Sequence, residues 1–131
     1  MKILLLLFAA HALCDFPLQN DFLSRGKNYR APLPGVPWWQ CLFAHALIQA
    51  GAVCWITGSV LLALLELVIH TATDYAKCAG WFDPLYTERV YGRRLSHRIG
   101  LSNLALTTDQ FIHYGCKVLW AAAVLTFGRI W

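Results

Sequence analysis

Four long apolar stretches run through this chain, and each is broken by a few polar residues that recur at every fourth position. A transmembrane helix needs about 20 mostly apolar residues, and the stretches at about 3–22, 38–56, 59–78 and 101–130 meet that length. The expected fold is therefore all-α: a single integral membrane domain over 1–131, built as a four-helix transmembrane bundle. Pro32, Pro34, Gly35 and Pro37 break the chain before the second helix. Thr57, Gly58 and Ser59 form a tight turn into the third, and the longest connection is a basic segment at 82–98. Trp38, Trp39, Trp55, Trp81 and Trp131 fall near span ends, where amphipathic rings prefer to sit.

The polar positions keep a helical period. Helix one holds His11, Asp15 and Gln19, each four residues from the next. Helix three holds Glu66, His70 and Asp74 at the same spacing, then Lys77, and helix four holds Asp109, Gln110, His113 and Lys117. Helix two contributes the single imidazole of His45. Side chains four apart share one helix face, so helices one, three and four each carry one polar stripe.

Composition supports a lipid setting. Hydrophobic residues make up 58% of the chain and charged residues 14%, against about 25% charged in soluble domains. Basic residues concentrate in two connections: Arg25, Lys27 and Arg30 in the first, and Arg89, Arg93, Arg94 and Arg98 in the third, with Lys77 just before it. By the positive-inside rule both connections face the cytoplasm and both termini lie outside. This predicts a multi-pass membrane protein. The segment 84–98 reads equally as an interfacial basic helix or a solvated loop, with His97 solvated. The net charge of +4 suits anionic lipid headgroups better than nucleic acid, because no soluble basic domain is present to grip a duplex.

Orientation also sets depth. Helices one and three run inward with His before Asp, while helix four runs outward with Asp before His. All three arrangements put the aspartates roughly 6 to 14 Å below the cytoplasmic boundary and the histidines a turn deeper, with His45 near the aspartate level. Ionisable groups inside a membrane call for a reason. His11, His45, His70, His113, Asp15, Asp74 and Asp109 form a ligand set suited to zinc, manganese or iron. Seven groups exceed the need of one tetrahedral ion and would serve two, about 3.5–4 Å apart. Gln19, Gln110 and Glu66 would support the ligands, with Glu66 and Gln110 also candidates for catalysis and Glu66 a possible general base. Lys77 and Lys117 would bind a substrate phosphate or neutralise spare carboxylates. The plainer alternatives are a metal-free hydrogen-bonded network and a proton or ion pathway.

Two other features bear on the reading. Cys14, Cys41, Cys54, Cys78 and Cys116 are odd in number and contain no CxxC pair, so they read as apolar core residues. The start of the chain, with Lys2, an apolar run and Ala10-His11-Ala12, also has the form of a signal peptide. The apolar stretch continues past that site, which favours retention.

The strings H-A-L-C-D-F-P-L-Q (His11 to Gln19), H-T-A-T-D (His70 to Asp74) and D-Q-F-I-H (Asp109 to His113) together resemble an uncharacterised phage and bacterial membrane family, a domain of unknown function. Its members have an N-terminal HxxxDFxLQ motif and a C-terminal DQxxH motif. The resemblance covers nearly the whole chain and implies a phage or prophage origin and a bacterial inner-membrane location, with both termini then on the periplasmic side. It implies no activity.

Three functions follow. The first is a metal-dependent hydrolase acting on a lipid or lipid-linked substrate from the cytoplasmic leaflet. The second is a transporter of metal ions or protons, which the uncharged stretch at 118–127 disfavours. The third is a non-catalytic phage accessory protein acting on a host membrane protein. A homo-oligomer is compatible with any of them. No nucleophile elbow, phosphate loop or aromatic nucleic-acid platform is present.

Overall fold

The computed structural model describes residues 1–82 and 104–128, and the basic connection at 82–98 lies outside them apart from Phe82. The described residues are helical, with no strand among them. The helices are α1 (Lys2–Asp15), α2 (Asp21–Gly26), α3 (Trp38–Thr57), α4 (Val60–Cys78) and α5 (Leu104–Phe127).

Local chemistry sets most of the boundaries. Gly58 adopts φ +68° and closes α3 by donating its N–H to the Cys54 carbonyl, a left-handed cap that glycine takes without a Cβ penalty. Ser59 then caps α4, its hydroxyl accepting from Leu62 N at 3.2 Å. Asn20 caps α2 in the same way, accepting from Leu23 N at 2.9 Å.

The first helix departs from expectation. It ends at Asp15 rather than near residue 22, because Pro17 follows Phe16. A proline has no N–H to continue the ladder and disfavours helical backbone in the residue before it. The chain turns there, and 21–26 form the separate short helix α2. Among the described residues, α3 is the one helix both long and apolar enough to cross a membrane by length and composition. Helix α1 has 14 residues, while α4 and α5 carry charged side chains in their buried faces.

Helix α1 packs on α3 and α5, and α4 packs on the same two. The four long helices thus form a ring in the order α1, α3, α4, α5, with α2 laid against α3. One end of the ring is apolar: Leu7 of α1, Val53 of α3, Leu62 of α4, and Cys116, Trp120 and Ala121 of α5 pack together. Early residues of α1 and α4 meet late residues of α3 and α5 there, so neighbours alternate in direction. The other end is polar inside.

The surface inverts the usual pattern. His11, His45, Glu66, His70, Asp74, Asp109, His113 and Lys117 are each at most 1% exposed. Leu5, Leu64, Val68, Phe111, Leu119 and Leu125 are each about half exposed or more. Trp39, Trp55 and Trp81 are also exposed.

Candidate metal centre

Because the helices alternate in direction, residue pairs one turn apart on separate helices arrive at the same end of the ring. Helix α1 delivers His11 and Asp15, α3 His45 and Gln49, α4 Glu66, His70 and Asp74, and α5 Asp109, Gln110, His113 and Lys117. The seven side chains singled out in the sequence meet in one cluster. Asp15 sits at its mouth rather than deep within a helix, since α1 ends on it.

Two sets of ligand-type atoms stand within the cluster. In the first, His45 Nε2 lies 3.1 Å from His70 Nε2, 3.3 Å from Asp15 Oδ1 and 3.5 Å from Asp74 Oδ2. His70 Nε2 is 3.8 Å from the same Asp74 oxygen. Ligands of a tetrahedral ion bonded at 2.0–2.1 Å stand about 3.3 Å apart, so these spacings suit a cation at their centre. In the second set, His113 Nε2 lies 3.3 Å from Asp109 Oδ1 and 3.8 Å from Asp74 Oδ1. Asp74 thereby offers one oxygen to each set. The triads Asp15, His45, His70 and Asp74, Asp109, His113, with a third of Glu66, His70 and His113, each bring ligand atoms within 4.8 Å of one another.

The hydrogen bonds around the cluster fix which nitrogen faces inward. Glu66 Oε1 lies 3.2 Å from His70 Nδ1. Glu66 also takes Lys117 Nζ on Oε1 and Trp120 Nε1 on Oε2 at 2.7 Å. A carboxylate with two such donors only accepts, so His70 Nδ1 carries a hydrogen and its Nε2 presents a lone pair. Gln49 does the same for His11. Its amide nitrogen donates to Asp15 Oδ1 at 2.5 Å, which leaves its oxygen 3.3 Å from His11 Nδ1 to accept. The Nε2 of His11 then faces Asp15 Oδ2 at 3.5 Å, acceptor against acceptor. Metal-binding histidines are held by just such outer partners. Among the described residues, the buried atoms His11 Nε2, His45 Nδ1, His113 Nε2 and Asp109 Oδ1 have no hydrogen-bond partner, which is rare for buried polar groups.

Three lysines enter the same region. Lys27 Nζ is 2.6 Å from Asp74 Oδ2, and Lys77 Nζ is 2.7 Å from Asp109 Oδ2 and 3.4 Å from Asp74 Oδ1. Lys117 is sealed against Glu66 at 1% exposure, out of reach of a substrate phosphate and suited only to neutralising that carboxylate. Glu66, ringed by Lys117, Trp120 and His70, has the surroundings of a positioning group and no open face for a general base. Gln110 donates to Asp15 Oδ2 at 2.9 Å. With its amide turned to match its neighbours, Gln19 donates to the Asp15 carbonyl at 2.9 Å and accepts from Lys27 Nζ at 2.7 Å.

Sequence reasoning missed two members. Gln49 stands one turn beyond His45, so the same four-residue spacing marks it and helix two brings more than one imidazole. Lys27 was read as a loop charge facing the cytoplasm, yet it is 5% exposed. No spacing rule reaches it, since α2 carries it across 47 residues of sequence to Asp74. The five cysteines are all free; Cys14, Cys41 and Cys116 are buried as expected of core residues, while Cys54 and Cys78 are only partly buried. A cavity of about 590 Å³ opens beside the cluster, with Asp15, Gln19, Lys27, Arg30, Lys77 and Gln110 in its wall.

The family model described as protein of unknown function (DUF3307) matches residues 3–129. No curated protein and no solved structure matches the chain.

Proposed function

The chain belongs to the DUF3307 family of proteins of unknown function, and on that premise we propose that it is a small membrane-embedded hydrolase with two divalent ions. Its substrate is an ester of a lipid or lipid-linked molecule, taken from the cytoplasmic leaflet of a bacterial inner membrane. The observation that carries this reading is the inward-facing Nε2 lone pair of His11, set 3.5 Å from Asp15 Oδ2 and without a hydrogen-bond partner among the described residues. In a buried site that arrangement is repulsive until a cation lies between the groups.

The inside-out surface supports the bilayer. Large hydrophobics such as Val68, 67% exposed, and Phe111, 79% exposed, face outward while carboxylates and imidazoles are enclosed. A soluble monomer rarely exposes extended apolar surface. Helices α3, α4 and α5, at 20, 19 and 24 residues, reach about 28 to 36 Å at 1.5 Å per residue, near the thickness of a hydrocarbon core. The four-helix bundle with both termini on the periplasmic side then places the lysine-rich mouth on the cytoplasmic side, in keeping with the charge rule.

The assigned ligands are Asp15, His45, His70 and Asp74 for one ion, with His11 beside Asp15, and Asp74, Asp109 and His113 for the other. Zinc, manganese and iron all suit this mixture of imidazole and carboxylate. When bound, such ions supply Lewis acidity and lower the pKa of a coordinated water. The protein's part is to hold the rings: Glu66 fixes His70, and Gln49 fixes His11 while bonding Asp15. Gln110, in the cavity wall, bonds both Asp15 and Asp109 and is placed to orient a substrate oxygen. The apolar cluster at the far end closes the ring, which disfavours a transport path.

One observation favours a second reading. Lys27, Lys77 and Lys117 pair with three of the four carboxylates, which a metal-free structural network would also need. Elemental analysis of detergent-purified protein separates the two. About two ions per chain, removed by chelator together with ester hydrolysis and lost in Asp15→Ala and His70→Ala, support the hydrolase. A metal-free protein whose thermal stability ignores both chelator and added metal leaves the network.

A further inference from the structure

The cavity beside Asp15 and Gln110 is walled by three cations, and each is held in place. Lys27 leaves the C-terminus of α2 and is buried against Asp74. Lys77 spans Asp74 and Asp109 and stays 25% exposed toward the cavity. Arg30 donates to the Ala79 carbonyl and lies over Gly80, where a Cβ would stand 2.7 Å from its Nη1. Gly80, at φ +75°, thus leaves room for the guanidinium that any other residue would displace.

Charge decides what such a cavity takes. Four carboxylates (Asp15, Glu66, Asp74, Asp109) face three ammonium groups (Lys27, Lys77, Lys117), leaving one negative charge with neutral imidazoles. Two divalent ions convert that to three positive charges, and Arg30 adds another. Asp74 and Asp109 would then be shared between the ions and the lysines, so Lys27 and Lys77 are left with spare hydrogen-bond donors at the cavity. A multiply charged anion is the natural complement, and phosphate matches an arginine fork with flanking ammonium groups better than a carboxylate or a halide does.

We propose that this cavity binds a phosphate group through Arg30, Lys77 and Lys27, which makes the substrate a phosphoester. The phosphate belongs either to a lipid headgroup or to a water-soluble ester. The assignment of substrate class rests on the hydrolase reading above, whereas phosphate binding itself is measured independently of turnover.

The test uses the full chain in detergent, loaded with zinc or manganese, and follows inorganic phosphate by titration calorimetry at constant ionic strength with chloride as the control anion. Saturable binding is expected with phosphate and not with chloride. Arg30→Gln and Lys77→Met each weaken it about tenfold or more, the effect of one charge-assisted hydrogen bond, while Lys2→Met leaves it unchanged. Metal content of every variant is measured alongside, so that lost binding with retained metal is assigned to the cavity. Phosphatidylcholine vesicles containing phosphatidic acid form the second arm: displacement of phosphate by them, and not by phosphatidylcholine alone, assigns a lipid source, and no displacement assigns a soluble ester. Wild-type affinity in both Arg30→Gln and Lys77→Met, or no binding of phosphate up to about 10 mM (an affinity under about 3 kcal/mol), overturns the proposal. Phosphate binding by a chain that holds no metal keeps the cavity and removes the hydrolase; metal without phosphate binding does the reverse.

Discussion

Lys27 Nζ lies 2.6 Å from Asp74 Oδ2, so the short helix α2 places an ammonium group on the carboxylate shared by both sets of ligand atoms. Ammonium and a divalent ion compete for that oxygen. Lys27→Met is expected to raise metal affinity, and Asp74→Asn to leave at most one ion per chain. Asp74→Asn also strands a buried charge, at a cost of about 3–5 kcal/mol. Elemental analysis and thermal melts of detergent-purified protein check both. Equal metal content in wild type and Asp74→Asn contradicts the shared-carboxylate assignment.

Glu66 and Lys117 form a pair with each side chain 1% exposed. Glu66→Gln leaves Lys117 charged and without its carboxylate, and is expected to destabilise by about 3–5 kcal/mol. The double change Glu66→Gln with Lys117→Met should recover most of that loss. A double-mutant cycle from melting curves reads the coupling, and additive losses would show that the two do not act as a pair.

Val68 lies on the outer face of α4, 67% exposed. In water, Val68→Asp would change stability by about 0.5 kcal/mol or less. In a bilayer the same change costs about 2.5–3.5 kcal/mol near a helix centre. Its yield in the membrane fraction, compared with wild type, therefore reports the surroundings of α4, and an unaffected yield argues for water.

At Gly26 an added Cβ would stand 2.5 Å from Cys41 Sγ, so α2 sits directly on α3. Gly26→Ala should push α2 outward, lowering stability by about 1–3 kcal/mol through overpacking. The double variant with Cys41→Ala should regain part of the loss. Melting temperatures of the two proteins decide it.

Much of the site was legible because helices obey a simple period. His11 with Asp15, His70 with Asp74, and Asp109 with His113 are each one turn apart, and alternating chain direction sends all three to one end. Gln49 follows the same rule one turn from His45, but helix two carries only that one pair, without the longer stripe that marks helices one, three and four. Lys27 and Arg30 were different: a basic residue in a connection looks like a topology signal, and the burial of Lys27 depends on how α2 folds back. The length of α1 was also written in the chain, at Pro17, but a mostly apolar run of spanning length outweighed the one residue that stops a helix.

The early end of α1 carries a consequence for access. Its 14 residues rise about 21 Å, against about 30 Å for α3 beside it. In the proposed bilayer the ring therefore has a notch, one stave shorter than its neighbours, cut down to Asp15. Lipid next to a short wall must thin or tilt to meet it, drawing its headgroups sideways toward the gap. An amphiphile can slide in from the leaflet without leaving it, its tails never meeting water.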